Sequence, residues 1–378
     1  MNIPIPLPDE CSRGYLGRIN KLNGDLHLHN LHRMLFNVAS ESGAPFDRKD
    51  WTNSLAVVSG LGNVNFIRRH TFLPFSRAIH TESAGIAHGI RYPGSQWRMV
   101  KMTPLTKFAR FCKECIRADR ASTGVDYWRR SHQFPGAVFC SEHGSPLYQM
   151  DRYAPERGMP ADFENVAMAV NKKIVLAAKK NPLVARYIRV CQQLLDGIHP
   201  IDTRQASFRI AERAAHFNLR RSMYDGKKNL SDQIIFHLAG AWLEEFFPYL
   251  TGKQPGAFIP RFDGICAQTK ALFPVTAYAL ALTVLWDSPE EAVESFRRPI
   301  NPLAIKKCLK KYGHASVNTK LAIQLLGGGN ERKTPQNAVA AIELFSSGWS
   351  ITEASEQSGL LPLELEEVLR NVLAVLRS

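Results

Sequence analysis

From residue 160 onward, apolar side chains recur at three- and four-residue spacing, the repeat of helices that bury one face. The pattern predicts helices over 163–178, 183–195, 204–221 and 230–250, then over 277–286, 289–296, 303–311 and 319–326. Gly327-Gly328-Gly329-Asn330 interrupts it, and a last group over 338–346, 351–358 and 363–376 follows. Near the start, Tyr15, Ile19 and Leu22 also stand at helical spacing. Pro8-Asp9-Glu10-Cys11-Ser12 suits the beginning of that helix, because Asp9 or Ser12 can accept from its first exposed N–H groups. Asn23-Gly24 suits its end. A second helix is expected over 28–38, and beyond it Gly60, Gly62, Pro74 and Gly94 punctuate short helices and loops. No internal repeat, heptad run or low-complexity tract is visible.

Length and composition add that 378 residues suffice for two or three domains, and that 45% apolar content excludes wholesale disorder. The charge balance changes the picture more. Forty-eight Lys and Arg against 34 Asp and Glu leave +14, a surplus that polyanions gain by neutralising. Nucleic acid is the leading partner, with a basic protein lacking such a partner as the alternative. The opening Met-Asn-Ile-Pro-Ile-Pro lacks the positive start and apolar core of a secretory signal. The most apolar stretch, 271–286, holds Pro274 and is shorter than the roughly 20 residues a span needs, so it reads as a buried helix. No membrane association and a cytoplasmic location are expected.

Seven cysteines, three of them within about 30 residues, favour metal over disulfides in such a chain. Cys112-x2-Cys115 is followed, after 24 residues, by Cys140-x2-His143. Two residues between ligands let one tight turn aim both side chains at a point, and two such knuckles supply a tetrahedral zinc. Three thiolates and an imidazole leave no open position, which makes the predicted zinc structural. His132 is a rival for the fourth place. A CxxC redox pair would need a helix start in a βαβ setting, which the pattern does not offer. Cys11, Cys191, Cys266 and Cys308 carry no evident function.

Two basic segments are candidates for nucleic-acid or partner contact. Around the knuckles Lys101, Lys107, Arg110, Lys113, Arg117, Arg120, Arg129 and Arg130 face only Glu114, Asp119 and Asp126. Farther on, Arg204, Arg209, Arg213, Arg220, Arg221, Lys227 and Lys228 surround Phe208, Ala211, Ala215 and Leu219, an amphipathic basic helix that is either a phosphate-contacting face or a solvated one. The contact residues singled out are Arg117, Arg120, Arg129, Arg130, Arg209, Arg213, Arg220 and Arg221. Residues 351–369 have the Gly-turn geometry of a helix-turn-helix, yet Glu364, Glu366 and Glu367 against Arg370 favour docking or a structural role over DNA contact.

Other signals carry less. Residues 327–334 approach a phosphate loop but place Arg332 where glycine is needed. His27, His29 and His32 do not share one helix face. No Ser–His–Asp or paired-carboxylate arrangement is identifiable, in keeping with a protein that is not an enzyme.

The segment from Cys112 through Asp126-Tyr127-Trp128-Arg129 and His132-Gln133 to Cys140-x2-His143-Gly144 and Leu147 resembles the TniQ family of transposition proteins, which includes the TnsD target selectors. Pro8-Asp9-Glu10 with Tyr15-Leu16-Gly17-Arg18 and Asn23-Gly24 resembles the family's N-terminal signature. The two blocks cover about a seventh of the chain. Phe273-Pro274-Val275 with Trp286-Asp287-Ser288 is loosely similar to its C-terminal region, and the second knuckle pair of some relatives is missing, since no Cys lies between Cys140 and Cys191.

The resemblance implies a non-catalytic selector. It would bind target DNA directly or ride on an RNA-guided Cascade-type ribonucleoprotein, and then help recruit the AAA+ ATPase that activates the transposase. Several members act as dimers, so a homodimer is among the assemblies implied. The main alternative is a sequence-specific DNA binder acting alone, TnsD-like or a zinc-containing regulator. The expected architecture is mostly α: a multi-domain helical protein with helix-turn-helix-like modules and an inserted Cys3His zinc knuckle. Its expected parts are a helical module at 1–100, the knuckle region at 101–155, a helical domain with the basic helix at 156–330, and a helix-turn-helix-like module at 331–378.

Overall fold

The structure, a computed structural model, describes residues 2–43, 51–80, 86–90, 104–219, 228–238, 240–266 and 272–298, with single positions at 351, 355 and 365. The expected helices after 298, the 327–334 loop, the helix-turn-helix and Arg220, Arg221, Lys101 and Cys308 lie outside these residues.

Most of the described chain is helical. Helix α1 (Ser12–Leu22) starts one residue from the expected place, but its cap is neither Asp9 nor Ser12. The Cys11 sulfur accepts from Gly14 N at 3.4 Å, while Asp9 sits in the left-handed region at φ 58 and turns its carboxylate elsewhere. Helix α2 (Leu28–Glu41) runs longer than predicted and buries Leu31, Leu35 and Ala39 at helical spacing. With α3 (Trp51–Val58) and α4 (Gly62–His70) these helices enclose a small core of Tyr15, Leu16, Ile19, Leu31, Leu35, Leu55, Ala56 and Phe66.

After α5 (Leu73–Ser76) and β1 (Ile79–His80), strand β2 (Phe108–Phe111) leads into α6 (Lys113–Thr123). Strand β3 (Tyr148–Asp151) pairs antiparallel with β2, setting Phe111 opposite Tyr148 with stacked rings 5.9 Å apart. The short helix α7 (Ala154–Arg157) follows and packs on α1, and β4 (Met168–Ala169) completes the sheet on the far side of β3.

The helical remainder comprises α8 (Lys172–Lys180), α9 (Pro182–Leu195), β5 (Ile201–Asp202, parallel to β1) and α10 (Thr203–His216). It continues with α11 (Leu230–His237), α12 (Gly240–Phe246), α13 (Pro248–Thr251), α14 (Pro260–Asp263), α15 (Val275–Leu285) and α16 (Pro289–Arg297). Helix α15 is the apolar stretch of the sequence. Ala277 to Thr283 are buried without a break because α9, α10, α11 and α16 surround it. Among the described residues no helix is long and apolar enough to cross a membrane. One continuous cluster of buried side chains extends from Cys11 through the knuckle cysteines to Phe296.

Two expected helices are broken. Within 163–178 the chain makes a 3-10 turn (Pro160–Phe163) and strand β4 before α8 begins. Asn171 starts that helix anew by accepting from Lys173 N at 2.8 Å, and Met168 finds its partner in Gln149 across the sheet. The 230–250 stretch divides into α11, α12 and α13: Leu238 turns extended at φ −98 and ends α11, and Pro248 drives Phe247 out of the helical region, to φ −138, between α12 and α13. Helix α10 stops at His216, short of the predicted 221, with Asn218 left-handed at φ 54.

Candidate metal centre

Strand β2 delivers Cys112 in extended conformation to the start of α6, and the first helical turn brings Cys115 round beside it. The second knuckle is a hairpin tip. Cys140 N donates to Ser145 O at 2.8 Å and Gly144 N donates back to Cys140 O at 2.8 Å, with Gly144 at φ +67, which glycine adopts without strain. The two turns meet so that the three sulfurs and one nitrogen of Cys112, Cys115, Cys140 and His143 all lie within 4.8 Å of one another. Cys115 and Cys140 sulfurs are 3.6 Å apart, and His143 Nδ1 lies 3.8, 3.4 and 3.5 Å from the sulfurs of Cys112, Cys115 and Cys140.

These edges suit a tetrahedral zinc ion. Zinc bonds of about 2.3 Å to sulfur and 2.0–2.1 Å to nitrogen require tetrahedral edges of about 3.8 and 3.5 Å. The donor set, three soft sulfurs and one imidazole, is also that of a structural zinc site. The cysteines are buried and His143 closes the set from the exposed side. Mutual hydrogen bonding among the sulfurs, with Cys115 the strongest contributor, holds the Cys112 thiol below its ordinary range. The same bonding, with Cys112 first, pushes Cys115 and Cys140 above it.

His132 is not a member of the set. Its Nε2 approaches Cys115 Sγ alone, at 3.8 Å, from inside the fold. Burial pushes this histidine down to about 4, so the ring is neutral and, with its proton on Nε2, donates to the sulfur. Glu114 and Ser145, hydrogen-bonded to each other, both flank Cys112 Sγ, at 3.3 and 3.6 Å.

The N-terminal strap belongs to this centre although about a hundred residues of chain intervene. Arg130 N and Nε donate to Asp9 O at 2.8 Å and Oδ1 at 3.1 Å, and Ser131 N donates to Asp9 Oδ2 at 3.0 Å. Cys11 N donates to Trp128 O at 2.8 Å. The buried Glu10 carboxylate receives Arg18 Nε and Nη2 at 2.8 and 2.7 Å, and Arg18 also donates to Ile5 O at 2.8 Å. His70 Nδ1 lies 2.9 Å from Glu10 O. Other polar residues between the knuckles have comparable work. Asp126 accepts from Arg120 Nε at 2.8 Å and Ala161 N at 2.7 Å. Trp128 Nε1 donates to Gly158 O at 2.8 Å. Gln133 exchanges hydrogen bonds with both backbone groups of Arg110, at 2.7 and 2.9 Å, and so finishes the free edge of β2.

Residues 2–147 match the TniQ family model. This chain carries a TniQ domain. Its matched span opens in the strap and closes at Leu147, so that both knuckles and the strap that clasps them fall inside it, while β3, β4 and α7 lie beyond. No curated protein shows significant similarity to the chain.

Within the TniQ domain and outside it, the arginines singled out from sequence are unequally placed. Arg117 is exposed on α6. Arg120 is paired with Asp126, and Arg129 spans Asp119 and Glu142 at 2.5 and 2.9 Å. Arg130 is buried, donating to Asp9 and to Arg68 O and Thr71 O. On α10, Arg209 binds Glu212 and Arg298 O, and Arg213 donates to Leu285 O at 2.6 Å with its guanidinium over the Trp286 ring. Sequence reasoning missed the clasping role of Asp9 and the flanking roles of Glu114 and Ser145. Asp9 was visible as a candidate helix cap and as part of a signature, and nothing in spacing links it to Arg130.

Proposed function

We propose that the chain is a non-catalytic target-selection adaptor of transposition, linking a target-recognition complex of the RNA-guided Cascade type to the AAA+ ATPase that activates the transposase, and that Cys112, Cys115, Cys140 and His143 hold a structural zinc. The TniQ domain carries this reading. It is supported by the way the domain is built, with strap, knuckles and DYWR–HQ segment held as one body by buried ion pairs and backbone hydrogen bonds. An adaptor needs such a body to hold two partners in fixed relation. The zinc crosslinks the two knuckles to each other at the edge of the core they share with the helices.

Direct reading of a target sequence needs side chains free to reach base edges. Arg120, Arg129 and Arg130 are engaged inside the domain, which favours the adaptor over a solitary reader. The test is retention of purified zinc-loaded protein on a Cascade-type ribonucleoprotein and on naked duplexes over a salt series. Retention on the ribonucleoprotein at salt that strips the protein from every duplex is expected. Retention on one duplex sequence, with none on the ribonucleoprotein, would replace this reading with a TnsD-like selector.

A further inference from the structure

Several basic side chains are drawn into the fold, as Arg13 is by Glu156, Arg18 by Glu10, Arg129 by Asp119 and Lys253 by Asp232. Helix α8, Lys-Lys-Ile-Val-Leu-Ala-Ala-Lys-Lys, is the opposite case. Val175 and Ala178 are buried on its inner side. At about 100° per residue, Lys172, Lys173, Leu176, Lys179 and Lys180 fall within an arc of about 120° on the other, and all five are exposed. No acidic side chain pairs with any of the four lysines among the described residues, not even Glu244 and Glu245 of α12, the helix packed against α8.

The arrangement works against the helix itself. Lys172 and Lys173 occupy the first turn, where the helix dipole disfavours a cation, whereas Lys179 and Lys180 in the last turn suit it. Self-stability does not account for Lys172 and Lys173, which join the other two lysines around one leucine. A polyanion does. Lys172 and Lys179, like Lys173 and Lys180, are seven residues apart, or about 10 Å along the helix. Flexible stems on that spacing can meet successive phosphates. Just past the C-terminal end, Asn181 Nδ2 donates to His237 O at 2.8 Å, which sets the neighbouring Phe236, 81% exposed, at the margin of the basic face.

We propose that this face of α8 binds the phosphate backbone of nucleic acid. Lysines meeting phosphates carry no base information, so the grip is independent of sequence. The site is separate from the knuckle and α10 arginines and does not depend on the adaptor reading.

The test uses the full-length, zinc-loaded chain with a random-sequence duplex, its affinity followed by fluorescence anisotropy over a salt series. Each phosphate neutralised contributes about −0.9 to the slope of log affinity against log salt. The variant Lys172→Gln/Lys173→Gln/Lys179→Gln/Lys180→Gln is expected to flatten the slope by about 3 to 4, with helicity and zinc content unchanged because glutamine matches lysine in helix propensity. Arg117→Gln, a single exposed cation elsewhere, should flatten it by no more than about 1. An unaltered slope in the fourfold variant overturns the proposal. So does wild-type binding to polyglutamate or to anionic vesicles as tight as to the duplex and lost in the same variant, which would assign the face to an acidic protein or a membrane surface. Failure to bind a Cascade-type complex leaves this result untouched.

Discussion

The carboxylate of Asp9 accepts from Arg130 across 121 residues of chain, and the same aspartate takes the backbone N–H groups of Arg130 and Ser131. Asp9 reaches this position only by adopting φ 58, a conformation that aspartate tolerates better than most side chains. Removing it leaves a guanidinium that is 7% exposed with two carbonyl acceptors and no counter-charge. Asp9→Ala should therefore destabilise the domain by about 3 kcal/mol, the lower end for breaking a buried pair because Asp9 itself is partly exposed. Urea denaturation is the direct check. A midpoint shift worth less than about 1 kcal/mol, the scale of a surface pair, would mean that the strap is held by its backbone bonds alone.

The metal centre predicts a graded response. One zinc per chain is expected by elemental analysis, lost on Cys112→Ala, Cys115→Ala or Cys140→Ala and sharply weakened by His143→Ala. His132→Ala should keep the ion but bind it roughly 10- to 100-fold more weakly, as loss of a hydrogen bond to a ligand does. Competition with a chromophoric chelator measures both. Complete zinc loss in His132→Ala with normal loading in His143→Ala would exchange their roles.

The knuckle spacing made the four ligands legible in sequence, because two residues between donors already imply one turn and one focus. Spacing favoured His143 but left His132 as a rival. Both stand near the second knuckle or within the loop, and only the fold shows His132 reaching a single sulfur from behind. Helices α9 and α16 follow the apolar period closely, while α15 was legible as an apolar stretch buried on all sides. The 163–178 stretch does not, since Met168 satisfies a helical repeat and a two-residue edge strand equally well, and a partner 19 residues away decides. For a related reason the pairing of the arginines was not legible. Composition counts charges but not the carboxylates that fold against them, as Asp119 does against Arg129.

Gly17 tests the closeness of α1 and α7. A Cβ built there would stand 2.0 Å from the carbonyl oxygen of Pro155, which is backbone and cannot swing away. Helix propensity alone would favour Gly17→Ala by about 1 kcal/mol. The clash should reverse that sign and give a net loss of about 1–3 kcal/mol. The two helices would have to separate, straining the Arg13–Glu156 ion pair between them. Thermal denaturation of the single variant suffices, and a raised midpoint would show that the contact yields.

Acid sensitivity follows from two buried histidines outside the metal centre. Burial lowers His70 from 6.5 to about 4 and His88 to about 3. In the unfolded chain both bind a proton near pH 6.5, so between that value and the folded one the unfolded state holds more protons than the native. Their contribution is present in full above pH 6.5 and drains away as pH falls, by about 1.4 kcal/mol per pH unit for each histidine while its window lasts. Glu10, raised by its own burial, shifts in the direction that favours folding as pH falls, so the total slope is a difference. The contribution of His70 can be isolated. Asparagine has a side-chain N–H where His70 directs Nδ1 at Glu10 O, and it does not titrate. Between pH 6.5 and 4 the stability of His70→Asn should fall less steeply than that of the unsubstituted chain, by about one proton's worth of slope. Parallel curves from urea midpoints across that range would show that His70 keeps its proton in the folded protein.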